Sequence, residues 1–235
     1  APDTFFDSYV LEGLKAFEED YGVTIDYSVG TEWTQDIENQ SIEAKIAEGY
    51  DLILAVFPEL LDAVNSVAAQ NPDIPFIHAI AKNIGDNIHG YAVQEQESSY
   101  VMGAFAAMMT QTKKIAFLGG VDNVDINNYL SGMREGATAV DPSVEIQVSW
   151  VGSFEDPAKA KELSLMHYNN GCDIIWSCGG KSDEGLFEAV AEMGEGYYAM
   201  ANTIDHNADV PGRIIASHIE DYVSAISTAL IDWYE

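Results

Sequence analysis

The side chains most able to do chemistry are sparse in this 235-residue chain. Its five histidines, His78, His89, His167, His206 and His218, show no His-x-x-x-His spacing, which would set two imidazoles on one helical face, and no His-Glu-x-x-His motif. Asp205-His206 with Asp209 is the nearest approach to a metal-ligating group, but so acidic a chain produces such neighbours by composition alone, and no metal is expected. Cys172 and Cys178 flank the strand-like run Asp-Ile-Ile-Trp-Ser. An extended segment of that length holds their Cα atoms roughly 20 Å apart, too far to pair. Both read as small buried side chains that leave the redox compartment undecided.

Nucleophilic and phosphate chemistry find no better support. No Gly-x-Ser-x-Gly elbow occurs, and neither Gly-x-x-x-x-Gly-Lys-Ser/Thr nor Gly-x-Gly-x-x-Gly follows a strand. Gly119-Gly120 and Gly179-Gly180-Lys181-Ser182 have two readings: tight strand-to-helix turns, or places where backbone N–H groups approach a polar ligand. The acid pairs Glu18-Glu19-Asp20 and Asp183-Glu184 read as solvated faces or helix-start charges. Nothing requires catalysis, and no cofactor is implied.

The elements that would position these residues alternate. Phe6, Val10, Leu14 and Phe17 fall at three- and four-residue spacing, which predicts a helix over 6–20 with Gly22 as its stop. A strand follows over 24–29, a helix over 34–48 and an apolar strand over 51–57. A helix over 59–70 then leads through Asn71-Pro72-Asp73 to strands at 74–80 and 88–93, and a helix over 97–109 closes the series. A second series runs strand 114–118, helix 126–140, strand 145–151, helix 157–169, strand 173–177 and helix 183–193. Strands at 197–201 and 213–217 and a last helix from about 220 complete it. This is an α/β chain with mostly parallel strands. The expected organisation is a first lobe over 1–110, a second over 111–212, joined near Thr110 to Thr112, and a hinge return with terminal helix over 213–235. Two such lobes place a ligand between them, lined by the loops after the strands: Phe57-Pro58-Glu59, 119–125, 153–156, 179–184 and 202–207.

Charge narrows the partners. Thirty-nine Asp and Glu face ten Lys and Arg, a formal net charge of -29. That field disfavours nucleic acid and anionic lipid, and no Lys/Arg cluster opposes it. With 47% hydrophobic residues the chain is no disordered acidic tail. No apolar run approaches the length of a membrane span, and no basic-then-apolar leader opens the sequence, so any export signal is expected to have been removed already.

Asp3-Thr4-Phe5-Phe6-Asp7 followed by Glu12-Gly13-Leu14, then Gly49-Tyr50-Asp51-Leu52-Ile53, Asn71-Pro72-Asp73 and 97–103, Glu-Ser-Ser-Tyr-Val-Met-Gly, form an ordered set. It continues through Ile115 to Gly120, Gly152-Ser153-Phe154-Glu155-Asp156, Gly171-Cys172-Asp173-Ile174-Ile175, Gly179-Gly180, Gly185 and Phe187. This set resembles the basic membrane protein family, purine-nucleoside-binding lipoproteins that serve as substrate-binding subunits of bacterial ABC importers. The resemblance implies a two-lobed periplasmic-binding-protein-like fold of type I, with three-layer α/β/α lobes and a central ligand cleft. It implies an extracytoplasmic, noncatalytic solute-binding protein with an ABC permease as partner. A monomer is expected, and membrane contact only through an N-terminal lipid anchor removed or absent here. By the same resemblance Phe6 stacks on the base and Asp7 bonds to it, although by the residues alone Phe6 equally reads as the apolar start of the first helix and Asp7 as a helix-start charge. The loops after the strands add Phe57, which also reads as the end of a buried strand, with Gly119, Asp156, Gly179, Gly180, Lys181 and Asp205.

The departures from that pattern bear on the ligand. Asp7 stands where the family has Asn, and a carboxylate accepts but does not donate unless protonated. Pro58 occupies the place of a second stacking aromatic, with Phe57 one position earlier. Thr203 replaces the first Asp of a ribose-gripping motif whose second Asp corresponds to Asp205. The chain also begins almost at the first motif and stops before the family's return to the first lobe, from which trimming of the first family strand is expected. The ligand is expected to be small, polar and neutral or cationic, since Asp7, Glu59, Asp156 and Asp205 outnumber Lys181; a nucleoside or related base fits. A sensory receptor domain, or a nucleoside- or sugar-processing enzyme, are the alternatives.

Overall fold

The computed structural model describes residues 5–28 and 34–235, with side chains throughout those ranges except at 5–9 and 12. In chain order it contains α1 (Phe5–Tyr21), α2 (Gln35–Glu48), β1 (Ile53–Val56), a 3-10 turn (Pro58–Leu60), α3 (Leu61–Gln70), β2 (Phe76–Ala79), β3 (Ile84–Gly85), β4 (Ile88–Tyr91) and α4 (Glu95–Met109). There follow β5 (Lys114–Gly119), α5 (Val124–Val140), β6 (Glu145–Trp150), α6 (Pro157–Asn169), β7 (Ile174–Cys178), a 3-10 turn (Gly180–Ser182), α7 (Asp183–Met193), β8 (Tyr198–Ala201), β9 (Ile214–Ser217) and α8 (Tyr222–Tyr234). Among the described residues no helix is long and apolar enough to cross a membrane.

The chain divides into two compact units, Ala1–Val93 with Asp221–Glu235, and Gln94–Glu220. The division falls at Val93/Gln94 rather than near Thr110 to Thr112, because α4 packs on α5. A Cβ on Gly103 would lie 2.0 Å from the Met133 carbonyl oxygen and one on Gly136 only 1.9 Å from that of Tyr100, so these backbones meet with no side chain between them. The return also comes later than residue 213, since β9 pairs with β8 as the edge of the second sheet and only α8 rejoins the first unit.

In the first unit the sheet order is β1-β2-β4-β3, parallel except for the β3–β4 hairpin, which has no counterpart in the sequence expectation. Strand residues alternate between two cores. Ile53, Ala55 and Phe76 join Val64 and Val67 under α2 and α3. Ile77 and Ala79 pack with Val10, Leu14 and Phe17 of α1 and Ile226 and Leu230 of α8. The expected strand at 24–29 is absent from the ladder over its described part, 24–28. A β-branched run becomes a strand only where a neighbour offers a ladder. Here Ile25 N–H donates instead to Glu18 Oε1 at 2.6 Å, and Asp26 accepts from Lys45 and Tyr50.

The second unit is a five-stranded parallel sheet in the order β6-β5-β7-β8-β9. Ile115, Phe117, Ile174 and Trp176 face α4 and α5, whereas Ala116, Leu118 and Ile175 face α6 and α7. Both faces are covered, which is why β5 and β7 are apolar without alternation. Pro157 at the first position of α6 and Asn123 before α5, whose Oδ1 accepts from Ile126 N–H at 2.9 Å, fix where those helices start.

Candidate functional site

A parallel sheet in this order reverses direction of growth between β5 and β7, and ligands of open α/β sheets meet the carboxyl ends of the strands at such a point. Gly119-Gly120 ends β5 and Gly179-Gly180 follows β7, so the topology brings the two glycine pairs together: Gly120 N–H donates to the Cys178 carbonyl at 3.0 Å. Their glycine character has a local cause. A Cβ on Gly119 would lie 2.1 Å from the Trp150 ring, and one on Gly120 would lie 2.3 Å from the Phe154 ring. Gly180 has φ +59°, a conformation that favours glycine, and its Cβ position abuts Phe154 at 3.4 Å. Phe154 therefore lies across both turns, the aromatic center of this edge.

The loops after β6 and β7 are bonded to one another. Ser182 N–H donates to the Phe154 carbonyl at 3.1 Å, Ser182 Oγ donates to the Ser153 carbonyl at 3.0 Å, and Asp156 N–H donates to Ser182 Oγ at 2.8 Å. Asp156 is the N-cap of α6, its Oδ1 accepting from Lys159 N–H at 2.9 Å. Lys181 is exposed, with Nζ 3.9 Å from Glu155 Oε2. Beneath the glycines, Asp183 is buried and accepts from Ser177 Oγ and from Gly179 N–H. Burial pushes its carboxyl up to about 6, against the pull of those two donors and of His206. Asp205 sits on the next loop, after β8, where its Oδ1 accepts from Asn207 N–H at 2.9 Å. Gly119, Asp156, Gly179, Gly180 and Lys181 thus share one edge, with Asp205 on the loop beyond.

At the ends of β8 and β9 lies a buried polar network not anticipated from sequence. His218 Nδ1 donates to Asn202 Oδ1 at 2.7 Å, Nε2 is 2.6 Å from Ser98 Oγ, and Tyr129 hydroxyl donates to Glu220. The His218 ring also stands edge-on to Tyr129 and Trp176. Ser98, His218 and Asn202 have the distances of a nucleophile, base and orienting group. Desolvation, however, holds the His218 imidazole down at about 4, so it is a poor base at neutral pH. Ser98 Oγ also lies 3.2 Å from the Glu95 carbonyl within its own helix turn. The network ties the first turn of α4 to the strand ends. Thr203, beside Asn202, has φ +74°, and its carbonyl accepts from Glu220 N–H at 3.1 Å.

In the first unit, Phe57 stands at the carboxyl end of β1 with φ 88° and ψ 147°, a region almost confined to glycine that costs a larger residue about 1–3 kcal/mol. Its N–H donates to the Ala79 carbonyl at 3.0 Å, and its carbonyl accepts from Leu60 N–H at 3.3 Å and from His78 Nε2 at 2.6 Å. Pro58 supplies the other constraint, since a residue before proline is driven to extended ψ. The ring is half-buried against the α1 and α8 core. Nearby acids crowd: the Glu38 carboxyl is raised by partial burial and then by Glu59 and Asp62. Phe6 and Asp7 belong to α1 by their backbone, and their side chains lie outside the described residues.

Among the described residues no group of three His, Cys, Asp or Glu side chains could hold a metal. Cys172 and Cys178 are buried and unpaired with each other, and burial pushes the Cys172 thiol up to about 12. His206 bonds to Asp209 at 2.6 Å and lies 4.9 Å from the Phe187 ring of α7.

Comparison with known proteins gives a family match over residues 2–234, to the family described as ABC transporter substrate-binding protein PnrA-like. Basic membrane protein A1 of Borrelia garinii subsp. bavariensis is 27% identical over 225 residues, covering 93% of this chain and 65% of that protein. ABC transporter nucleoside-binding protein BmpA of Lactococcus lactis subsp. cremoris is 28% identical over 193 residues, covering 79% of this chain and 54% of that protein. The chain therefore spans about two thirds or less of the length of these relatives. Among solved structures, an ABC transporter solute-binding protein from Aeropyrum pernix K1 superposes with a TM-score of 0.85 at 21% identity, over 97% of this chain and 66% of that one. That likeness establishes the two-lobed α/β periplasmic-binding-protein-like fold.

Proposed function

The chain belongs to the family of PnrA-like ABC transporter substrate-binding proteins, and from that premise we propose that it captures a nucleoside or related base for ABC-type import. The family description, an ABC transporter substrate-binding protein, supports a noncatalytic role outside the cytoplasm in which the protein binds a small polar ligand and has a cognate permease as partner. The observation that carries the nucleoside reading is the Lactococcus lactis relative, whose name records nucleoside binding, together with a family match running through all the site loops.

In this reading the ligand meets the carboxyl ends of the parallel strands. Phe6 stacks on the base, Asp7 accepts from one of its N–H groups, and Phe57 adds a second aromatic contact. Gly119, Gly179 and Gly180 keep the backbone close to the ligand, while Asp156, Lys181 and Asp205 bond to its hydroxyl or amino groups. The acids of this set favour a neutral or cationic compound, because a phosphorylated one would meet mainly like charge. Association with the permease, a monomeric state and a lipid anchor belong to the same proposal.

Native mass spectrometry of protein purified without refolding, followed by calorimetric titration with nucleosides, free bases and sugars, tests this. A retained or titrated nucleoside or base is expected. Tight sugar binding without any nucleoside or base binding overturns the reading.

A further inference from the structure

We propose that His78 is a positioning residue for ligand binding: its neutral ring donates Nε2–H to the Phe57 carbonyl, accepts the Asn83 amide at Nδ1, and so holds Phe57 in the backbone conformation that offers its ring to the ligand. The inference rests on the reading of Phe57 as a ligand contact given above; the geometry behind it is independent of that reading.

His78 is fully buried in β2, with Nε2 2.6 Å from the Phe57 oxygen and Nδ1 3.1 Å from Asn83 Nδ2. A carbonyl only accepts, so Nε2 must carry the proton, which leaves a lone pair on Nδ1 for the amide N–H of Asn83. One neutral tautomer satisfies both partners. Asn83 is itself buried and held from behind: a Cβ on Gly90 would lie 2.0 Å from the Asn83 carbonyl oxygen and 2.7 Å from its nitrogen, so the β4 backbone touches it directly. The chain from Asn83 through His78 to Phe57 is thus a continuous brace from one strand to the next.

What the brace reaches is strained. Phe57 and Ile80, with φ 88° and 62°, are both non-glycine residues at positive φ, and they sit at the carboxyl ends of the neighbouring parallel strands β1 and β2. Strain of this kind persists only where the surroundings over-determine it, and it gathers at ligand-binding edges. A buried imidazole must place its one N–H on some acceptor, and here that acceptor is the carbonyl of the strained residue itself.

The test uses the whole chain and calorimetric titration with adenosine, guanosine, inosine and their free bases. His78→Leu removes the donor at similar volume, and His78→Gln keeps an N–H near the Nε2 position. The expected result is affinity about tenfold weaker in His78→Leu, restored to within about threefold in His78→Gln, and no further loss from His78→Leu in a Phe57→Ala background. Wild-type affinity in His78→Leu, or losses that add in full in the double variant, overturns the proposal. If His78→Leu does not fold, Asn83→Ala takes its place, with the ring 15N shifts read in parallel. An Nε2–H tautomer in the wild type that becomes mixed in Asn83→Ala, with weakened binding, is expected; an Nδ1–H wild type overturns the proposal. If none of the six purine compounds binds, only the purine form of the nucleoside reading fails, and it fails separately. The His78 brace is then decided by hydrogen exchange at the Leu60 amide, which shares the Phe57 carbonyl: faster exchange in His78→Leu or Asn83→Ala supports it, and unchanged exchange overturns it.

Discussion

Asp183 is a buried carboxyl that accepts a 2.8 Å hydrogen bond from the Gly179 N–H, fastening the start of α7 to the glycine turn at the candidate binding edge. Its folded value, about 6, stands above the ordinary 3.8 because burial outweighs its donors. The folded state therefore holds this proton more tightly. The associated stability is full below pH 3.8 and is lost as pH rises through about 6, by up to about 3 kcal/mol. Asp183→Asn, which keeps an acceptor and cannot ionise, is expected to lack that slope in chemical denaturation followed between pH 4 and 7.

The histidines act in the opposite sense. His78, His167 and His218 are all pushed below 6.5 chiefly by burial, His218 to about 4. Here the unfolded chain takes up protons first, so stability is full above pH 6.5 and is lost as pH falls toward 4. His218→Asn, which keeps a donor for Asn202, is expected to be about 1–3 kcal/mol less stable at pH 7.5, from the lost Ser98 contact and lost packing. It is also expected to lose less further stability on acidification than the wild type, as melting curves at pH 7.5 and 4.5 would report.

Phe57 makes an unusual prediction. Substituting Phe57 with Ala removes the ring and leaves a Cβ at φ 88°, whereas Gly removes both ring and strain. Although Gly ordinarily costs about 0.5–1 kcal/mol relative to Ala, the relief of about 1–3 kcal/mol is larger. Phe57→Gly is expected to melt above Phe57→Ala, and the reverse order in calorimetric scans would show that the backbone there is unstrained.

Gly120→Ala places a methyl group 2.3 Å from the Phe154 ring. The ring must move, at a cost of about 1–3 kcal/mol. Adding Phe154→Leu is expected to recover part of that loss, so the double variant should be more stable than the sum of the two singles. Additive losses in urea denaturation would mean that the ring does not occupy this space.

Salt should stabilise the protein. At a net charge of -29 the folded state repels itself, and raising ionic strength from 0.1 to 1 M shortens the screening length from about 10 to about 3 Å. The ion pairs that salt weakens, such as Lys113 with Asp141 and Lys161 with Glu188 and Glu192, are surface pairs of small individual worth. The melting temperature is expected to rise with potassium chloride over this range, and a fall would give the ion pairs the larger share.

The alternation of helices and parallel strands was legible because β5 and β7 are buried on both faces and read as apolar runs, and because Gly22, Gly49 and Asp141-Pro142 mark ends. The unit boundary was not. The apolar pattern of α4 announces a buried face without saying which sheet it covers, and the deciding contacts are glycines, Gly103 and Gly136, that periodicity does not register. The run 24–28 has strand composition and no ladder, a matter of partners rather than propensity. At the site, Gly119 and Gly120 were open between turn and ligand approach; the Trp150 and Phe154 rings supply a packing reason for both. His78 gave no signal, since a lone histidine in an apolar strand carries no motif, and a positive φ at Phe57 is invisible when the residue is not glycine.

The identity of the ligand on natively purified protein, read by mass spectrometry and followed by calorimetry, decides the proposed function. A neutral or cationic nucleoside or free base is expected, bound without turnover, with its affinity reduced most by Phe6→Ala. Sugar binding in the absence of any nucleoside or base binding, or chemical conversion of the bound compound, would contradict that function.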